Sequence, residues 1–432
     1  MFSDSFVTLC QIVERYRSKI DLAASIPPEE YAKRWQAVQH HLRDRDLDLG
    51  LFYFYREMPG DGMYLTGYNP TIERACGAIG QTGAPVIIAG PEAGEVAQES
   101  ALESGAEVAY AEEFQIPDEY YAHVSFSSIR DILVRAAGGV QIGRIGWLTD
   151  GHLFPEALRD AIRSALGSTA EYVDASDVLH ELRHEKSHAE LGLMADANAI
   201  ANAAARAMLA VARPDMRETQ LAAVGDGAMK SLGATSYGFE TIVNSGPRCR
   251  TIIGAASNRV MQAGEMVQIG VSPGLSGYKG VCRRVFVLGQ PTALQATFLS
   301  HLETAFARAR SALQSVVETG GAPGQIDRAA REYFSSVQLE GVPMDRLMNY
   351  SAMHGTGLTE CMEGKPVTPY TTEPFGHRIG MMLDVGAYGH PHDAIAGGCI
   401  ENAFAKDGAT LLEMTDLPAL VQPLVGHRGG CA

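Results

Sequence analysis

The sequence predicts two domains, an N-terminal α/β unit and a C-terminal α+β unit, and three observations carry that expectation. The chain has 432 residues, more than one ordinary hydrophobic core organises. Short strand-like and helix-like segments alternate up to about residue 175, the pattern of an α/β layer. Beyond that point long helices and short strand candidates are grouped apart, which reads as α+β. The expected domains are residues 1–175 and 176–432.

From about residue 29, EEYAKRWQAVQHHLRDRDL places apolar residues at helical spacing, and LGLFYFY is a short buried-type strand. MYLTGY and APVIIAG read as strands, AGEVAQESALESG as a helix and VQIGRIGWLTD as another strand. SIRDILVRAAG and PEALRDAIRSALG supply helices between them. The second unit opens with a long Ala-rich helix over roughly 187–212. Ser187 caps it, Glu190 completes a capping box, and Pro214 ends it. A helix (ETQLAAVGDGAMKSLG), a strand (GFETIVN) and the glycine-rich pair of strands MVQIGVSPGLSGYKGVCRRVFVLG follow. Two more helices, ALQATFLSHLETAFARARSALQSVVETG and QIDRAAREYFSSV, precede the strand candidates YSAMHG, GMMLDVGAYG and CIENAFAKDGATLLE.

Apolar residues make up 46% of the chain and charged residues 20%, and no run of about 18 apolar residues could span a bilayer. The N-terminus MFSDSFVTLCQIVERYRSKI has mixed charge and does not read as a secretory signal. Seven scattered cysteines, never paired as CxxC, suit free thiols in a reducing cytoplasm. A net charge of −16 argues against nucleic acid or an anionic membrane as partner, since phosphates are held by clustered Lys and Arg.

Several segments, in order, resemble the pita-bread family of prolidase, aminopeptidase P, methionine aminopeptidase and creatinase. LRHEKSHAELGLMADANAI is similar to the family's entry helix, and IVNSGP to the strand before its substrate pocket. AGEMVQIGVSPGLSGYKGVCRRVFVLG resembles its metal-strand hairpin and MHGTGL its H-G-x-G turn. GMMLDVGAY and GGCIENAFAKDG are similar to its two glutamate strands. The resemblance implies a creatinase/prolidase-like N-terminal domain followed by a pita-bread C-terminal domain.

The same resemblance implies a dinuclear site of two aspartates, one histidine and two glutamates, since hard divalent metals need carboxylate oxygens. Here the aspartate positions fall on Gly270 and Val281 and the first glutamate position on Gly386. His354 and Glu401 remain. The expectation is therefore no metal and no cofactor, because an open zinc site normally keeps three protein ligands. Creatinase, the metal-free member, moves protons with a histidine whose position is Ile253 here, and its two guanidinium-binding carboxylates align with Arg283 and Gly386. Its substrate-carboxylate arginine corresponds to Lys365.

His354, followed by the glycines of MHGTGL, is the candidate general acid/base, with a hydrogen-bonding relict as the alternative. Glu401 would orient it or act as a base. Cys361 holds the place of a second family histidine and is a candidate nucleophile, or a packed thiol. Arg283 shares a strand face with Val281 and enters the pocket, while Arg284 points away. Arg248 and Arg250 lie in the loop entering that pocket, and guanidinium forks suit anions. Tyr278 and Tyr388 are candidate pocket donors. Arg74 is a candidate ligand contact, because this loop in prolidase-like dimers reaches the partner subunit's pocket. GHPHDA reads as a solvated loop rather than a metal site.

The expected function is metal-independent hydrolysis of an amide- or amidine-type C–N bond in a small anionic, carboxylate-bearing metabolite. The expected setting is a cytoplasmic homodimer whose pocket is completed by the partner's N-terminal domain. The alternatives are a non-catalytic metabolite- or protein-binding relative, a metal-free lyase and, last, a metal-dependent Xaa-Pro peptidase.

Overall fold

A computed structural model describes residues 2–117, 119–167, 169–364 and 366–423. The chain divides into two compact units: Ser25–His184, and a second made of the residues before Ser25 together with those from Glu185 onward. The division falls at 184/185 rather than 175/176. The first helix, Phe2–Arg17, belongs to the second unit. Its Tyr16 hydroxyl donates to Asp416 Oδ2 at 2.8 Å and accepts from Arg206 Nε at 2.8 Å. The helix Ser176–His184 stays with the first unit, where Arg183 Nη1 donates to the buried Asp61 carboxylate at 2.7 Å.

The first unit is built on a six-stranded mixed sheet. Its spatial order is Glu107–Tyr110, Val86–Ala89, Ala75–Gly80, Leu49–Phe54, Arg144–Trp147 and Glu171–Asp174. Leu49–Phe54 lies at the centre and is buried along its whole length, as an unbroken apolar run demands. MYLTGY corrects the sequence reading: Gly60–Thr66 is a buried helix, closed by Gly67 at φ 72°. A short apolar run does not by itself distinguish a strand from a buried helical turn.

The second unit carries a seven-stranded antiparallel sheet. The order is Met353–Gly355, Arg378–Tyr388, Gly397–Asp407, Cys282–Val287, Met266–Val271 and Ile242–Ser245, with Thr410–Glu413 paired to Gly397–Asp407. The last two strands were one candidate in the sequence; Gly408 at φ 60° turns the chain between them. The long helix runs His188–Val211 behind the capping box of Ser187 and Glu190. Met381, Leu383, Val385 and Ala387 face Phe298, Leu302 and Phe306 of the helix Ala293–Thr319. Strand alternation then turns Met382, Asp384, Gly386 and Tyr388 to the opposite face. That face carries the candidate site.

Candidate active site

Three neighbouring strands set the site's charged row. Glu401 lies opposite Asp384 on one side and opposite Arg283 on the other, and directly opposed residues share a sheet face. His354 comes from the edge strand Met353–Gly355, opposite Met382. His354 Nε2 is 3.5 Å from Glu401 Oε1 and 3.6 Å from Glu360 Oε1, and its Nδ1 lies 3.1 Å from Gly355 O.

Burial opposes protonation of His354, but the Glu401, Glu360 and Asp384 carboxylates outweigh it and push the pKa up to about 10. At neutral pH the ring is therefore an imidazolium and a proton donor. Glu401 is 1% exposed, and neither of its oxygens accepts a hydrogen bond from the described residues. Burial and the neighbouring Glu401 raise the Asp384 pKa, as expected for two acids sharing a dry site.

Arg283 supplies the opposing charge. Its Nη1 donates to Asp384 Oδ2 at 3.1 Å and lies 3.7 Å from Glu401 Oε2. Its Nη2 donates to Ile252 O at 2.6 Å and to the Tyr388 hydroxyl at 2.7 Å. Tyr388 passes its own proton to Gln268 Oε1 at 2.7 Å, and Tyr350 donates to Asp384 Oδ1 at 2.9 Å. The arginine enters the site as its strand parity requires. It is not, however, a free anchor for an anionic ligand, because both terminal nitrogens are committed within the protein.

The other named residues fall elsewhere or into different roles. Arg248 pairs with Glu218 at 3.0 Å and donates to Ala255 O, and Arg250 is tied to Asp393 at 2.6 Å and to His390 O and Pro391 O. Both brace loops instead of offering free forks. Tyr278 donates to Glu190 at 2.9 Å against the entry helix. Cys361 is exposed as a residue, while partial desolvation of its thiol and then the neighbouring Glu360 carboxylate push its pKa up to about 12, the reverse of an activated nucleophile. His390 contacts Leu339 O and the His392 amide, so GHPHDA is a hydrogen-bonded loop. Arg74 is exposed in the first unit, beside a cavity of about 620 Å³ lined also by Tyr53, Ile72 and Phe114. Lys365 lies outside the described residues. Sequence reasoning missed Asp384, Glu360, Tyr350 and Gln268. A lone acid inside the apolar strand GMMLDVGAY was the available signal for the first.

Comparison with known proteins follows this geometry. Residues 192–405 match the model of metallopeptidase family M24. The Xaa-Pro dipeptidase of Pyrococcus horikoshii is 25% identical over 357 residues, 82% of this chain and 92% of that protein. The uncharacterized peptidase YqhT of Bacillus subtilis is 33% identical over 129 residues, 30% of this chain and 36% of that protein. Among solved structures, the Pyrococcus horikoshii prolidase superposes with TM-score 0.72 at 20% identity, covering 91% of this chain and 100% of that one. The X-Pro aminopeptidase of Thermotoga maritima gives 0.73 at 20% identity, covering 90% and 99%.

The metal implied by that family can be tested against the residues present. His354, Asp384 and Glu401 are the group of three among the described residues whose ligand atoms lie within 4.8 Å of one another. Val281 offers no ligand atom. A Cβ on Gly270 would stand 2.9 Å from Arg283 Cγ, and one on Gly386 would stand 2.3 Å from Tyr350 Oη. Those two positions have no room for a carboxylate, so the residues do not fit a dinuclear centre. No described helix is long and apolar enough to cross a membrane. With its fold, its relatives and the matched segment in agreement, the chain has the two-domain pita-bread fold seen in prolidases and aminopeptidases, and its residues 192–405 match the metallopeptidase family M24 model.

Proposed function

We propose that this chain is a metal-independent hydrolase that cleaves an amide- or amidine-type C–N bond in a small metabolite. The observation that carries the reading is the His354 imidazole, 3.5 Å from Glu401 and 3.6 Å from Glu360, while Arg283 holds Asp384 behind them. A ring whose pKa is pushed up to about 10 is protonated at neutral pH and holds a proton to give to a leaving amine. His354 is thus the general acid. Glu401, buried and without hydrogen-bond donors from the described residues, is the base.

In the reaction, water adds to the carbon and gives a proton to Glu401. The C–N electron pair leaves with the nitrogen, which takes the His354 proton. Transfer of the Glu401 proton to His354 then restores the pair. Arg248, Arg250 and Arg283 are engaged elsewhere. A cytoplasmic homodimer in which a second copy brings Arg74 to the pocket belongs to the same reading, and sedimentation would reveal a monomer if it fails. The Xaa-Pro dipeptidase activity named for the Pyrococcus relatives is not carried over, since Gly270, Val281 and Gly386 supply no ligands.

The test is turnover of a panel of small amides and amidines by chelator-dialysed protein, with products followed by mass spectrometry. His354→Ala and Glu401→Gln should each lose about 10²–10⁴-fold in rate with unchanged circular dichroism. Full activity in His354→Ala would refute the mechanism.

A further inference from the structure

We propose that the Arg283 guanidinium is the resident cation of this site, taking the place of a divalent ion between Asp384 and Glu401. Two buried carboxylates this close repel one another and need either a shared proton or a positive charge between them. Arg283 gives that charge permanently, because a guanidinium is not deprotonated in proteins. Its Nη1 stands 3.1 Å from Asp384 and 3.7 Å from Glu401, and the side chain is 2% exposed.

The surroundings are shaped around this pair. The arginine stem passes over Gly270, where an added Cβ would meet Cγ at 2.9 Å. Gly386 is the recess for the Tyr350 hydroxyl and the Tyr388 ring, at 2.3 Å and 2.5 Å from an added Cβ. Those tyrosines hydrogen-bond the two ends of the same ion pair, Tyr350 to Asp384 and Tyr388 to Arg283. Each glycine thus makes room for a group that fixes the guanidinium and its carboxylate. A surface ion pair needs no such recesses.

The arrangement has a consequence that a merely structural arginine would lack. Removing the guanidinium leaves Asp384 and Glu401 with the His354 ring as their remaining counter-charge and with the ligand atoms of all three already within 4.8 Å of one another, so that a divalent ion entering there displaces the His354 proton. Three protein ligands of these types suffice for an open mononuclear site. The wild-type chain excludes a divalent ion there, and Arg283→Met admits one.

Equilibrium dialysis of the full chain against Mn²⁺, without substrate, reads this directly and is independent of whether the protein hydrolyses anything. Wild type should take up no stoichiometric Mn²⁺. Arg283→Met should bind about one equivalent, at least about tenfold more tightly than wild type, and its melting temperature should rise with Mn²⁺. The double variant Arg283→Met/His354→Ala should lose the gain. Should Arg283→Met not fold in metal-free buffer, refolding on addition of Mn²⁺ reads the same gain, and failure to recover counts against the proposal. A wild-type chain that holds one equivalent of Mn²⁺, lost in His354→Ala, would overturn it, as would a folded Arg283→Met that binds none.

Discussion

The charged state of His354 makes the stability of this protein depend on pH in a way that one substitution isolates. The folded pKa is raised from the ordinary 6.5 to about 10. The resulting stabilisation is complete below 6.5 and is lost as pH rises through about 10. The full gap corresponds to roughly 5 kcal/mol, of which about 3–4 kcal/mol disappears between about pH 7 and about pH 10.5. The side chain is 26% exposed, so solvent screening trims that figure. Lys279 works in the opposite sense: burial lowers its pKa to about 8, and the penalty for burying its charge is relieved over the same interval. The raw pH slope of the wild type therefore mixes these opposed contributions with those of desolvated thiols such as Cys249 and Cys361, whose pKa values are raised to about 12. The useful quantity is the difference between wild type and His354→Gln in urea unfolding at each pH. That difference should shrink by about 3 kcal/mol from about pH 7 to about pH 10.5. Parallel pH profiles for the two proteins would show that the carboxylates do not hold an imidazolium, and the general-acid assignment would fall with it.

Other substitutions probe other parts of the site. Arg284 is fully buried and donates to the carbonyls of Arg283, Glu401, Leu417 and Pro418; Arg284→Met should cost about 3 kcal/mol or more in chemical denaturation. Cys361→Ser should leave turnover within about twofold of wild type, since a thiol with a raised pKa is not the nucleophile. Gly386→Glu should not restore a metal ligand, because its Cβ collides with Tyr350 and Tyr388. Its expected signature is destabilisation by about 1–3 kcal/mol in urea melts with no gain in Mn²⁺ binding.

The fold was legible where one physical signal dominated. The capping box at Ser187 and Glu190, the Ala-rich helix behind it and the buried strand Leu49–Phe54 all stand where sequence pattern put them. The reading went wrong at MYLTGY, where an apolar run folds as a helix, and at the domain boundary. There, the first helix returns across the sequence to meet Arg206 and Asp416, a contact that local pattern does not encode.

The site was legible only in part, because the sequence was read for what had been lost. Counting vanished ligands at Gly270, Val281 and Gly386 yields a site stripped of charge and open to anions. The structure instead places three acids, Asp384, Glu401 and Glu360, against Arg283 and His354. Asp384 stands two residues before the vacated glutamate position, and in a strand that spacing returns it to the same face. The strand therefore still presents a carboxylate on that face, two residues from the position the resemblance points to, with Arg283 opposite Glu401 beside it. The polarity of the site then turns on whether Arg283 is free or committed, and its contacts with Asp384, Tyr388 and Ile252 commit it. On the proposed reading, what remains to act on a substrate is the proton on His354 and the Glu401 carboxylate beside it, which is acid–base chemistry rather than anion capture.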